Sequence, residues 1–158
     1  MNNRVVNALA AACVSGLLFA AFGGTAGAAD PAEQVKDRQQ TMKKLGGGMG
    51  AVAKFVKNEG ATAEDAAKGA DAVLAVAKMD PKAIFPEGTA VGVSDSAAKP
   101  ELWASWGTAQ ERWSAMRPAA ETLEAAIKGG DRAQIAQALG ATSKTCGGCH
   151  EDFRVKKQ

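Results

Sequence analysis

The chain has 158 residues, with 19 Lys and Arg against 17 Asp and Glu, a formal net charge of +2 that points to no nucleic-acid partner. Aromatic residues make up 5%, tyrosine is absent and alanine is abundant, a composition that builds helices rather than sheets.

Met1 to Ala28 has the layout of a secretory signal peptide: Arg4 supplies the positive start, Val5 to Phe22 is almost wholly apolar or small, and Ala26-Gly27-Ala28 is a small-residue cleavage site. Asn7, Ser15 and several glycines interrupt the apolar run and no basic stop-transfer cluster follows, which argues against a retained membrane anchor. Cys13 has Ala10 three positions before it, where a lipid-modified cysteine calls for a larger aliphatic residue. The mature chain is then expected to begin near Ala29, free of the membrane, with about 130 residues and one core.

A first helix is expected over Pro31–Lys57, where Val35, Arg38, Met42, Leu45, Met49, Val52 and Val56 alternate three and four apart as a heptad seam. Arg38 is the odd member: a cation at a core position must find a partner or snorkel to solvent. Gly46-Gly47-Gly48 costs this helix about 2–3 kcal/mol against alanine. Either the turn is weak or something approaches it closely. A second helix is expected over Thr62–Lys78, opened by a capping box in Thr62-Ala63-Glu64-Asp65 and presenting Ala66, Ala70, Val73, Leu74 and Ala77 on one face.

Between Met79 and Pro100 the helical pattern stops at Pro81, Pro86, Gly88, Gly92 and Pro100, which predicts a long crossover or a loop beside a site. A third helix is expected over Pro100–Lys128, with Leu102, Trp106, Ala109, Trp113, Met116, Ala120, Leu123 and Ile127 on its seam and a kink near Ser114 imposed by Pro118. Trp103, Trp106 and Trp113 are expected in the core or at an interface. Gly129-Gly130 ends this helix, and Asp131 with Gln134 opens a fourth that reaches Arg154 and lines up Ile135, Ala138, Thr142, Cys146, Cys149 and Phe153. Four such helices with short turns at 58–61 and 129–130 predict an all-α, antiparallel four-helix bundle. The basic run from Arg154 to Lys157 reads as a solvated helix end.

The fourth helix carries Cys146-Gly147-Gly148-Cys149-His150. Two thiols three residues apart on one helical turn can each add to a haem vinyl group while the adjacent imidazole reaches the iron, so C-x-x-C-H reads as a c-type haem attachment site. A redox disulfide or half of a zinc site would use the same pair. The first wants a βαβ setting and the second wants two more ligands, whereas His150 is the single histidine and Cys13 the single other cysteine. One covalently attached haem c is therefore expected in the bundle interior near the C-terminal helix, with His150 as axial iron ligand. Export to the periplasm suits a chain whose thiols react in that way. Met42, Met49, Met79 and Met116 are candidate soft sulfurs for the far side of the iron, although a seam methionine is more often core filler. A second histidine ligand is excluded within one chain. The expected surroundings of Met and Leu lack the acid and base groups that haem catalysis needs, so an enzyme is not expected.

A four-helix chain with C-x-x-C-H close to its C-terminal end resembles the class II c-type cytochromes, the group of cytochrome c′ and the low-spin cytochromes c-556. The resemblance covers nearly the whole mature chain through Arg38-Gln39-x-x-Met42, Pro100-Glu101-Leu102-Trp103 and Cys146-x-x-Cys149-His150-x-x-Phe153-Arg154. It implies that Met42 faces the iron opposite His150. In cytochromes c′ that position is often non-ligating, which leaves five-coordinate iron open to small gases; in the c-556 branch a methionine ligates. The run from Met42 to Met49 and Ile84-Phe85-Pro86 look more like the c-556 branch, so Met42 is the expected sixth ligand. The resemblance also implies that Arg38 and Gln39 lie near the haem propionates and Arg154 over the proximal face. The function it implies is one-electron transfer in the periplasm with transient redox partner proteins, as a monomer or as a homodimer paired through the first two helices. The alternative is a five-coordinate protein that binds or buffers nitric oxide or carbon monoxide.

Overall fold

The computed structural model describes residues 29–156, so the leader read over Met1–Ala28 lies outside the described residues. Helix α1 (Pro31–Val56) starts where Asp30 accepts a hydrogen bond from the Ala32 amide at 2.9 Å, with Pro31 at the first helical position. Helix α2 (Ala63–Ala77) opens with the expected capping box: the Asp65 amide donates to Thr62 Oγ1 at 3.1 Å and the Thr62 amide to Asp65 Oδ2 at 2.9 Å. The same Thr62 bonds hold the Asp65 carboxyl below its usual range.

The α1–α2 contact explains one of the three consecutive glycines. A Cβ built on Gly48 would lie 2.4 Å from the Gly69 carbonyl oxygen, and one on Gly69 would lie 2.6 Å from the Gly48 oxygen, so the two backbones cross in direct contact. Gly46 and Gly47 would meet nothing within 4 Å. Close approach, not weakness, is therefore what the turn serves, and only Gly48 is required for it.

The expected third helix is three pieces: α4 (Glu101–Ala104), α5 (Trp106–Ser114) and α6 (Met116–Gly129). The break after Ser114 is the one Pro118 predicts, since proline removes the amide that would bond the Ser114 carbonyl and sits without cost in the first turn of α6. A second break at Ser105, where ψ turns to 45°, was not expected. A short α3 (Pro81–Ile84) lies in the long connection. Gly130 ends α6 at φ 75°, and Asp131 caps α7 (Arg132–Phe153) by accepting from Ala133 and Gln134.

The four long elements, α1, α2, the α5–α6 rod and α7, form an antiparallel four-helix bundle. One end is filled by Val52, Ala66, Ala70, Leu123, Ile135 and Ala138 from all four walls. Near the other end Leu45, Val73, Leu74, Trp113, Met116 and Ala120 form a second cluster, against which Met42, Phe85 and Cys146 pack. The connection between α3 and α4 runs across this second end and is tied to the end of α7 by the antiparallel bridge Ala98–Arg154, with amide bonds from Lys99 to Phe153 and from Val155 to Ala97. Among the described residues no helix is long and apolar enough to cross a membrane.

Candidate haem centre

Helix α7 brings the motif to the bundle by ordinary amphipathic logic. Ile135, Ala138 and Thr142 are buried on its inner face, and Cys146 and Cys149 continue that stripe toward Phe153. Both cysteines are half-buried free thiols. Burial pushes both thiols up from their ordinary value, and the Asp152 carboxylate adds to the rise at Cys149. His150 lies at the exposed rim, its imidazole held down first by desolvation and then by the Arg154 charge. A Cβ on Gly147 would meet nothing within 4 Å and one on Gly148 only the Arg112 guanidinium at 3.8 Å, so the two residues between the thiols leave that turn bare.

These side chains face a cavity of about 780 Å³, in the range of cofactor sites. Helix α1 contributes Arg38, Gln39, Met42, Leu45 and Met49 to its wall, the connection contributes Phe85 and residues 95–98, and Leu102, Arg112, Trp113 and Met116 close a further side. Helix α7 completes it with Cys146, Cys149, His150, Phe153 and Arg154. All seven site residues named from the sequence thus line one cavity. Of the four candidate sulfurs, Met42, Met49 and Met116 line it, whereas Met79 is exposed and uses its carbonyl to accept the Trp113 indole N–H at 3.1 Å.

Arg38 does not snorkel. It is 6% exposed, and its guanidinium donates to Thr89 Oγ1 at 2.7 Å, to the Thr89 carbonyl at 2.9 Å and to Ser96 Oγ at 2.8 Å. Desolvation lowers its pKa from the ordinary arginine value. Gln39, half-buried, donates to the Asp95 carbonyl at 3.3 Å. Arg154 is exposed at the rim, where its backbone forms the bridge to Ala98.

The site also contains residues that were not expected there from the sequence. Phe85 is fixed on three sides: its ring meets Trp113 edge-on with centroids 5.8 Å apart, the Arg38 guanidinium lies 5.5 Å from its centroid, and its carbonyl accepts the Trp103 indole N–H at 3.0 Å. Trp113, expected in the core or at an interface, is buried and lines the cavity as well. Arg112 pairs with Asp152 at 3.0 Å beside the motif. Phe85 was marked only as part of Ile84-Phe85-Pro86, through the resemblance to the c-556 branch, and Thr89 and Ser96 had no sequence signal at all.

The donor set suits a haem. Two free thiols one turn apart and an imidazole stand on one wall, thioethers and aromatic rings supply the others, and a buried guanidinium is available to a carboxylate. A sequence model of the family described as Cytochrome C′ matches residues 33–154. A cytochrome c′ of Pararhodospirillum photometricum is 38% identical over 126 residues, 80% of this chain and 99% of its own. A cytochrome c-556 of Agrobacterium tumefaciens is 33% identical over 127 residues, covering 80% of this chain and all of the relative. Among solved structures, a cytochrome c′ from Rhodobacter sphaeroides superposes with a TM-score of 0.74 at 30% identity, covering 82% of this chain and 100% of that one. The chain belongs to the cytochrome c′ family, the four-helix-bundle c-type cytochromes that carry one covalently attached haem c.

Proposed function

We propose that the protein is a periplasmic one-electron carrier in which Cys146 and Cys149 hold the haem, His150 supplies the proximal nitrogen and Met42 the distal sulfur. The observation that carries this reading is the composition of the wall facing α7. From α1 and α6 the cavity receives the apolar set Met42, Leu45, Met49 and Met116 beside the polar Arg38, Gln39 and Lys43, with no carboxylate and no imidazole, so that wall offers soft sulfur ligands and cations rather than a carboxylate or imidazole to act as general base. The haem supplies the one-electron couple when bound, and a nitrogen–sulfur ligand pair places its potential above that of two imidazoles. The thioether of Met42 reaches the cavity from a helix pinned by the Gly48–Gly69 crossing, which gives it a fixed approach. Arg38 and Gln39, which line the cavity, would donate to a haem propionate, and Arg154, exposed at the rim, would lie on the proximal side with His150. Redox partners meet the exposed rim briefly and weakly.

A second reading, five-coordinate iron that takes up nitric oxide or carbon monoxide with Met42 only packing beside it, is favoured by the higher identity to a cytochrome c′ than to a cytochrome c-556. Absorption spectra of the holoprotein, oxidised and reduced, with and without carbon monoxide, decide between the two. Low-spin spectra with a weak methionine-to-iron charge-transfer band and no response to the gas are expected, and Met42→Ala removes that band and opens the iron. High-spin spectra and ready gas binding in the wild-type protein overturn the carrier reading. If Met49→Ala or Met116→Ala abolishes the band instead, the sixth ligand is reassigned.

A further inference from the structure

Arg38 is held by two hydroxyls whose own protons point elsewhere. Thr89 Oγ1 donates to the Pro86 carbonyl at 2.7 Å, and Ser96 Oγ donates to the Thr89 carbonyl at 2.7 Å. A hydroxyl has one proton and two lone pairs, so each of these turns only lone pairs toward the guanidinium. Three bonds to the loop use three of the five guanidinium protons. Their acceptors are all neutral, and the ion pairs within 4.0 Å among the described residues do not include Arg38. The positive charge is therefore fixed in the cavity wall without being cancelled by its tether. Thr89 and Ser96 are buried, Thr89 completely, and are the buried polar residues of a connection whose tip at 91–95 is largely exposed; they reach across 51 and 58 residues of chain to this one side chain.

We propose that Thr89 and Ser96 are positioning residues for the haem site: their hydroxyls lock the Arg38 guanidinium beside the cavity, and through it the connection between α3 and α4 sets part of the reduction potential. The proposal rests on the reading of Arg38 as the partner of a haem propionate. A cation held close to the haem favours the reduced, less positive state and raises the potential, an effect that falls with distance and with exposure to water. Without the hydroxyls the long arginine side chain gains by swinging its charge to solvent, and the potential drops.

Redox titration of the holoprotein tests this with four proteins: wild type, the Thr89→Val/Ser96→Ala pair, Arg38→Gln, and all three substitutions together. The pair is expected to produce the larger part of the downward shift seen in Arg38→Gln, and the triple variant to lie no lower than Arg38→Gln, because no cation remains to be positioned. Thr89→Ser, which keeps the hydroxyl, should stay at the wild-type potential. Amide exchange over residues 86–96 should quicken in the pair while the absorption spectrum is unchanged. A wild-type potential in the pair with a lowered one in Arg38→Gln overturns the tether alone, as does an equal drop in both backgrounds. No shift in Arg38→Gln overturns the propionate reading and the tether with it.

Discussion

The two ends of the bundle solve opposite problems with the same helices. At the closed end Val52, Ala66, Leu123 and Ile135 have no exposed surface, and α1 and α2 meet backbone to backbone at Gly48 and Gly69. At the open end the walls part around a cavity, and beside it a buried guanidinium on α1 is bonded to two buried hydroxyls of the connection. Close packing of that kind stabilises a bundle whatever it carries. The open end instead needs a cofactor to complete its contacts, and binding to the folded state alone converts affinity into stability. The closed end is thus scaffold and the open end is site, and the difference can be broken at either.

Loss of attachment has the largest expected effect. Cys146→Ala with Cys149→Ala should leave no haem on the chain after denaturing electrophoresis and should lower the melting temperature. Amide exchange should rise at residues 38–46 and 85–98, while residues near Val52 and Leu123 keep their protection. Uniform loss of protection would show that the closed end is no independent scaffold. Next comes Leu123→Ala, which opens a hole where the side chain is wholly enclosed and should cost about 2–5 kcal/mol in chemical denaturation. The holoprotein spectrum should stay as it was. Gly48→Ala should cost about 1–3 kcal/mol, because its Cβ meets a carbonyl oxygen and the helices must separate. Gly47→Ala, with open space around it, should instead stabilise α1 by about 0.5–1 kcal/mol.

Those two glycines show where the sequence stops being informative. Gly46, Gly47 and Gly48 are equivalent as letters, and only the arrival of Gly69 from another helix distinguishes the third. Local chemistry was readable throughout: the Thr62 capping box, the Asp131 cap, the break imposed by Pro118 and the alternating seams depend on residues within a turn or two of each other. The cluster at Cys146, Cys149 and His150 was readable for the same reason, since helical spacing alone gathers it. Arg38 was visible as an anomaly but not as a solved one, because its acceptors come from a connection with no periodicity. Three thioethers reach one cavity from two helices, so periodicity could remove none of them, and only Met79 was eliminated by the fold.

The smallest expected effect belongs to the closed end and separates its pH dependence from that of the haem site. The Asp65 carboxyl is held below its usual range by the Thr62 amide first and the Thr62 hydroxyl second, at an exposed helix start far along the chain from the motif. A carboxyl whose folded pKa lies below its unfolded value contributes its full stability above the unfolded value, near 4, and loses it as pH falls through the folded one. Asp65→Asn keeps an acceptor for the Thr62 amide but removes the charge, so its stability should converge on that of the wild type as the pH is lowered below about 4. Denaturation curves between neutral pH and pH 3 would show this as a narrowing gap, with the haem spectrum unaltered in both proteins where they remain folded. A gap that stays constant across that window would mean that the bond geometry, and not the ionised carboxylate, is what the capping box contributes, and the start of α2 would then be insensitive to acid.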